Sequence, residues 1–224
     1  MNNPSKIRAV IFDMDGVLAD SEPLINAAAI TMFKENGLVA QPEDFLPFVG
    51  AGEDRYIGGV AERYGIALDI AAAKQRTYQI YLDLVSSKLE AFPGVTELLH
   101  VCRDAGLLMA LASSADEIKV NANLQKIGFL PEFWDAVVTG GDVKNKKPAP
   151  DIFLSAAEKL GVQAQECVVV EDAVNGVQAA HAAGMRCVAV AQTFPINLLL
   201  EADVVRERTS DVLLSDLAPH LARA

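Results

Sequence analysis

Short, almost wholly apolar runs recur along the chain at Ile7–Phe12, Leu107–Ala112, Ala136–Thr139, Cys167–Val170 and Cys187–Val190. Runs so brief and so uniformly apolar suit strands buried on both faces. From the second run onward their starts lie 29, 31 and 20 residues apart, intervals that fit one crossover helix between parallel neighbours. Helical patterns fill those intervals at Asp116–Ile127, at Pro150–Leu160 with Gly161 past its end, and at Ala173–Ala183 with Gly184 past its end. Glycine after the last periodic residue is a helix stop. A parallel α/β sheet is therefore expected.

The first interval breaks the rule. About 100 residues separate Ile7 from Leu107, far more than one crossover helix uses. Between Ser21 and Ala91 the apolar residues fall mainly at helical spacing, in Pro23–Glu35, Glu53–Tyr64 and Asp69–Ser87, and Phe92-Pro93-Gly94 marks a turn back. The expected organisation is a core made of residues 1–20 and 92–224 with a helical insertion at 21–91. The tail offers a Phe-Pro turn, a short Val204-Val205 strand and a last helix from Ser215.

With 224 residues, 51% hydrophobic and 22% charged, the chain has the material for a sizeable globular core. Disordered and fibrous classes fall away. No apolar run approaches the roughly 20 residues of a membrane span, and the start lacks the charged, apolar and small-residue succession of a secretory signal. A cytoplasmic chain is expected, with the chloroplast stroma as the alternative for a plant or algal source. Cys102, Cys167 and Cys187 are odd in number, far apart and set among apolar residues, as buried thiols in a reducing compartment would be. A net charge of −11 opposes nucleic acid and anionic membranes as partners.

Ile-Phe-Asp13-Met14-Asp15-Gly16 puts two acids at i and i+2 at the carboxyl end of the first strand, so both side chains share a face at the edge where open α/β sheets bind ligands. Asp is also a common turn residue, and the pair alone leaves that reading open. The other strand ends add Ser113-Ser114, a loop leading to Lys147, and Glu171-Asp172. Each has a plain structural alternative. Ser114-Ala-Asp-Glu has capping-box spacing, Lys144 to Lys147 is a charge run, and acids favour helix N-termini. Taken together, the groups match phosphoryl transfer through an aspartyl-phosphate: one carboxylate attacks, another handles protons, further acids hold Mg2+, and a hydroxyl and a lysine hold the phosphoryl oxygens.

On these residues the chain resembles the haloacid dehalogenase superfamily, with Asp13-Met-Asp15-Gly-Val, Ser113, Lys147 and Glu171-Asp172 as its four motifs in order, supported by Lys-Pro-Ala-Pro-Asp-Ile-Phe and Glu-Asp-Ala-Val-Asn-Gly-Val. The insertion after the first motif resembles the small helical cap of the β-phosphoglucomutase-like and phosphoglycolate-phosphatase-like branch. The resemblance implies a Rossmann-like parallel sheet with helices on both faces and an inserted cap. It implies Asp13 as nucleophile and Asp15 as general acid-base. It also implies Mg2+ held by Asp13, Glu171, Asp172 and the backbone carbonyl of Asp15, and a phosphoryl group held by Ser113 and Lys147, with Ser114 beside them.

Within that branch, sugar-phosphate mutases use cap histidine, lysine and arginine residues. Here Asp20-Ser-Glu-Pro-Leu-Ile25 has no histidine, and Phe48-Val-Gly-Ala-Gly-Glu53 has valine and glutamate where bases are expected. A phosphatase acting on a small phosphorylated metabolite, as a monomer, is the favoured reading; a mutase and a catalytically weak binding module remain alternatives. A dehalogenase would lack Asp15, and a phospho-receiver would be about half this length. Gly50 and Glu53 are candidate substrate contacts, with a turn between cap helices as the alternative. Arg55, Lys74 and Arg76 are read as a solvated helix face. The stretches Asp44-Phe-Leu-Pro-Phe-Val-Gly-Ala-Gly-Glu53 and Ser113-Ser-Ala-Asp-Glu-Ile-Lys-Val-Asn-Ala-Asn-Leu124 are similar to the dehalogenase-like domain of a plant thylakoid protein family.

Overall fold

A computed structural model describes residues 6–221. Its sheet has six parallel strands: β1 (Ala9–Phe12), β2 (Leu108–Ala112), β3 (Ala136–Val138), β4 (Cys167–Glu171), β5 (Arg186–Val190) and β6 (Val204–Arg206), in the order β3-β2-β1-β4-β5-β6. The central strand β1 is buried along its whole length, which explains its unbroken apolar run. Its neighbours β2 and β4 are reached by crossovers in opposite directions, so the crevice at the carboxyl ends of β1 and β4 is the topological switch point.

Side-chain alternation sends Val10 and Phe12 to one face of the sheet and Ala9 and Ile11 to the other. The first face is covered by α4 (Val95–Asp104), α5 (Glu117–Ile127) and α8 (Leu214–Leu217), through Leu99, Leu124 and Leu217 among others. The second is covered by α6 (Asp151–Leu160) and α7 (Val174–Ala182), through Phe153, Ala156 and Val177. The fold is the Rossmann-like α/β class expected, with helices on both faces.

Between β1 and α4 run α1 (Glu22–Glu35), α2 (Glu53–Arg63) and α3 (Ile70–Lys88), and these share a core of their own around Phe33, Phe45, Tyr56, Ile57 and Tyr81. Asp69 caps α3 by accepting the Ala72 N–H at 3.1 Å. The Tyr81 hydroxyl donates to Asn123 Oδ1 at 2.7 Å and ties α3 to α5 of the sheet layer.

The helix α4 was not among the expected elements. Its apolar stripe of Val95, Leu98, Leu99 and Cys102 follows at once on the Phe-Pro-Gly turn and buries against the sheet. The capping box expected at Ser114 does not form; Asp116 is the N-cap residue of α5. Trp134 packs edge-on against Phe12 and donates to the Phe129 carbonyl at 3.2 Å, a core role. All three cysteines are free and buried. No helix of the described residues is long and apolar enough to cross a membrane.

Phe45 is wholly buried, with its ring 4.8 Å from that of Tyr56 and 5.9 Å from that of Phe33. Replacing it with alanine removes both ring contacts and leaves a cavity, so Phe45→Ala is expected to cost about 3–5 kcal/mol. Urea denaturation checks this; a loss below about 1 kcal/mol would mean that the helical layer does not depend on this cluster.

Candidate active site

The strand register brings the acids together. Phe12 pairs with Leu111 on one side and with Val170 on the other, so Asp13 leaves the sheet beside Glu171, and its N–H donates to the Val170 carbonyl at 2.9 Å. Gly16 ends this turn with φ +75°, and a Cβ there would lie 1.8 Å from Asp172 Oδ2. On the opposite side, a Cβ on Gly176 would lie 1.8 Å from Glu171 Oε1. Both glycines are notches into which a carboxylate is folded.

Lys147, 4% exposed, reaches in from the loop before α6 and donates to Asp13 Oδ1 and Glu171 Oε1, each at 2.5 Å. The other Glu171 oxygen accepts the N–H groups of Asp172 and Ala173, at 2.7 and 2.8 Å, at the start of α7. Carboxylate oxygens of Asp13, Glu171 and Asp172 all lie within 4.8 Å of one another. Burial lifts the Asp13 carboxyl to about 7, against the pull of Lys147 and with the push of Glu171 and Asp15. Burial, with the push of Glu171 and Asp13, raises Asp172 well above the usual carboxylate range. Contact with Asp13 and Glu171 holds Lys147 above its ordinary value despite burial.

Three carboxylates are therefore buried together beside one ammonium group, which is bonded to two of them. The donor set is hard oxygen and deficient in positive charge, which fits Mg2+.

Asp15 lines the same cleft as Asp13, as the i, i+2 spacing predicts, but its carboxylate is held on the insertion side. It accepts from the Ser21 hydroxyl, from Lys119 Nζ at 2.9 Å and from Asn123 Nδ2 at 3.4 Å. Lys119 is 3% exposed and also lies 3.3 Å from Glu53 Oε1. Attraction to Asp15 and Glu53 raises the Lys119 pKa against the cost of burial. Glu22 stands nearby and is pushed up to about 7 by burial, and Glu53 is raised for the same reason.

Ser113 accepts the Ala115 N–H at 3.2 Å, and the Ser114 hydroxyl is buried without a partner. Both line the cleft that also meets Asp13, Asp15, Lys147, Glu171, Asp172, Gly50 and Glu53. Gly50 and Gly52 have φ of +76° and +85°. Cβ atoms on them would lie 3.0 Å from Asn175 and 3.2 Å from the Ser114 carbonyl, so the glycine loop is both a turn and a wall of the cleft. Arg55, Lys74 and Arg76 stay outside, paired with Glu62, with Asp54 and Asp116, and with Glu35. The cation that the sequence reading missed is Lys119. It was signalled by a lysine standing with Val120, Asn123 and Leu124 on the inward stripe of an amphipathic helix.

The fold and site define the class, an α/β protein with an acid-lined cleft at the switch point of a parallel sheet, and the comparisons give the family. Residues 10–190 match the model for haloacid dehalogenase-like hydrolases, and the chain belongs to that family. It is similar to Protein SUPPRESSOR OF QUENCHING 1, chloroplastic, of Arabidopsis thaliana, 46% identical over 217 residues that cover 95% of this chain and 21% of that protein. The chain thus spans about a fifth of that relative's length. Hexitol phosphatase B of Escherichia coli (strain K12) is 31% identical across 97% of this chain and 99% of its own. Among solved structures, CbbY from Rhodobacter sphaeroides in complex with phosphate superposes with a TM-score of 0.86 at 27% identity, covering 94% of this chain and 99% of that one.

Two outcomes follow from the packing of the acids. Because Asp13 holds its proton up to about 7 and a metal needs the ionised form, Mg2+ affinity is expected to strengthen as pH rises toward 7. The slope is up to about tenfold per pH unit for one linked proton, and calorimetry in buffers of different ionisation enthalpy reads the proton released. Gly176→Ala is expected to displace the Glu171 carboxylate and weaken Mg2+ binding by about tenfold or more, with an unchanged far-ultraviolet circular dichroism spectrum.

Proposed function

We propose that this chain is a phosphoric monoester hydrolase that releases phosphate from a small phosphorylated metabolite through an aspartyl-phosphate, with Mg2+ as its cofactor. The observation that carries the reading is the placement of Asp13 and Asp15 in one cleft, each bonded to its own buried lysine, Lys147 and Lys119. The family and the phosphatase named among the relatives support the same reaction class.

In this reading Asp13 Oδ attacks phosphorus while the bond to the leaving oxygen breaks, and Asp15 transfers its proton to that oxygen. Asp15 then takes a proton from the water that attacks the phosphoenzyme, the bond from phosphorus to Asp13 breaks, and inorganic phosphate departs. Lys147 and the Ser113 hydroxyl hold nonbridging oxygens as charge gathers on them. Asp13, Glu171, Asp172 and the Asp15 carbonyl would hold Mg2+, which would supply positive charge to balance the phosphoryl oxygens. Residues 21–91 serve as a cap over a core of 1–20 and 92–224, and closure of the glycine loop excludes water that would compete with the substrate.

Hydrolysis is favoured over a mutase reaction because Lys147 serves the transferring phosphoryl group in this reading and Lys119, the other lysine lining the cleft, is bonded to Asp15 and Glu53, which leaves no lysine there for a second phosphate. The test is phosphate release from a panel of glycolate, sugar, sugar-acid, nucleotide and flavin monophosphates, with and without Mg2+. The expected result is Mg2+-dependent release that falls at least about a thousandfold in Asp13→Asn. Isomerisation of β-glucose 1-phosphate without release, given its bisphosphate activator, would overturn hydrolysis.

A further inference from the structure

Two carboxyl oxygens in the cleft have no partner among the described residues. Glu22 Oε1 and Glu53 Oε2 are buried and accept no hydrogen bond, and both residues line the cavity. Glu53 is 6% exposed, and its other oxygen is engaged by Lys119 at 3.3 Å. A buried acceptor without a donor is costly, so such atoms mark where a donor from a bound molecule belongs. Their location says which part of that molecule. Lys119 joins Glu53 to Asp15, the residue that protonates the leaving oxygen in the proposed reaction, whereas the phosphoryl end lies at Asp13 and Lys147. The open acceptors therefore face the leaving group.

Charge then narrows what the leaving group is. Apart from the three acids proposed to hold Mg2+, the cleft is lined by Asp15, Glu22 and Glu53 with Lys119 beside them, and that ammonium group already lies against Asp15 and Glu53. A carboxylate or second phosphate on the leaving group would enter a poorly screened cavity beside Glu22 and Glu53 with no cation free to receive it. Hydroxyl groups donate to both oxygens and add no charge.

We propose that Glu22 and Glu53 form a subsite that reads hydroxyl groups, so that the substrate is the monophosphate of a neutral polyol or sugar, and that leaving groups bearing a second anion are rejected. The assignment of this subsite to the leaving group rests on the phosphatase reading. The experiment separates the two. Binding of glucitol 6-phosphate and gluconate 6-phosphate, which differ at one terminal group, is measured by calorimetry on the Asp13→Asn protein with Mg2+. Turnover of both, and of p-nitrophenyl phosphate, is measured on the wild type.

The neutral ligand is expected to bind at least tenfold more tightly, and Glu53→Gln in the same background to reduce that ratio at least fivefold. Glu22→Gln serves as the second variant, and thermal unfolding confirms that each is folded. Equal affinities, preference for the acid, or an unchanged ratio in both folded variants would overturn the subsite. Failure of the wild type to release phosphate from all three compounds, with the binding preference intact, would overturn hydrolysis and leave the substrate class supported.

Discussion

The bond of Lys147 to both Asp13 and Glu171 is the interaction on which the site depends. Without this ammonium group the carboxylates of Asp13, Glu171 and Asp172 would stand buried and mutually repulsive within 4.8 Å, an arrangement that costs several kcal/mol per uncompensated ion. Much of the local structure accommodates the cluster. The switch point brings the ends of β1 and β4 side by side, Gly16 and Gly176 leave room for the acids, and the first amides of α7 take up the second Glu171 oxygen. One ammonium group still leaves the cluster short of positive charge, and that deficit makes it a fitting place for a divalent cation.

A second buried lysine organises the opposite wall. Lys119 comes from α5 of the sheet layer, yet it bonds both Asp15 from the β1 loop and Glu53 from the helical layer. Nearby, Lys74 bridges Asp54 and Asp116, and Asn175 donates to the Val49 carbonyl at 3.3 Å. At the cleft the helical layer meets the sheet layer through these charged and polar contacts, and away from it Ala122 and Ile127 of α5 pack against the apolar core around Phe45.

Much of this was legible in the chain. The apolar runs located the inner strands to within one or two residues, and the glycine stops located α6 and α7, because strands buried on both faces and helices packed on a sheet impose period and length directly. The 100-residue first interval revealed the inserted helices for the same reason. Helix α4 escaped because its four inward residues follow so closely on the Phe-Pro-Gly turn that the segment reads as a return to the sheet. Ser114 has capping-box spacing but does not cap, since the chain turns once more and Asp116 takes that position.

The sequence by itself determined where the strands lie along the chain, the presence of the insertion and the acids, serine and lysine that meet at one sheet edge, since each rests on local periodicity or on a motif at a strand end. Only the tertiary structure decided that Lys119 is the second cation of the cleft, that Arg55, Lys74 and Arg76 are not, and that Glu22 and Glu53 line the cleft with unpartnered oxygens. Those roles depend on how α1, α2 and α5 meet, and contacts between residues about 65 to 105 positions apart are set by packing in three dimensions, which leaves no short pattern along the chain.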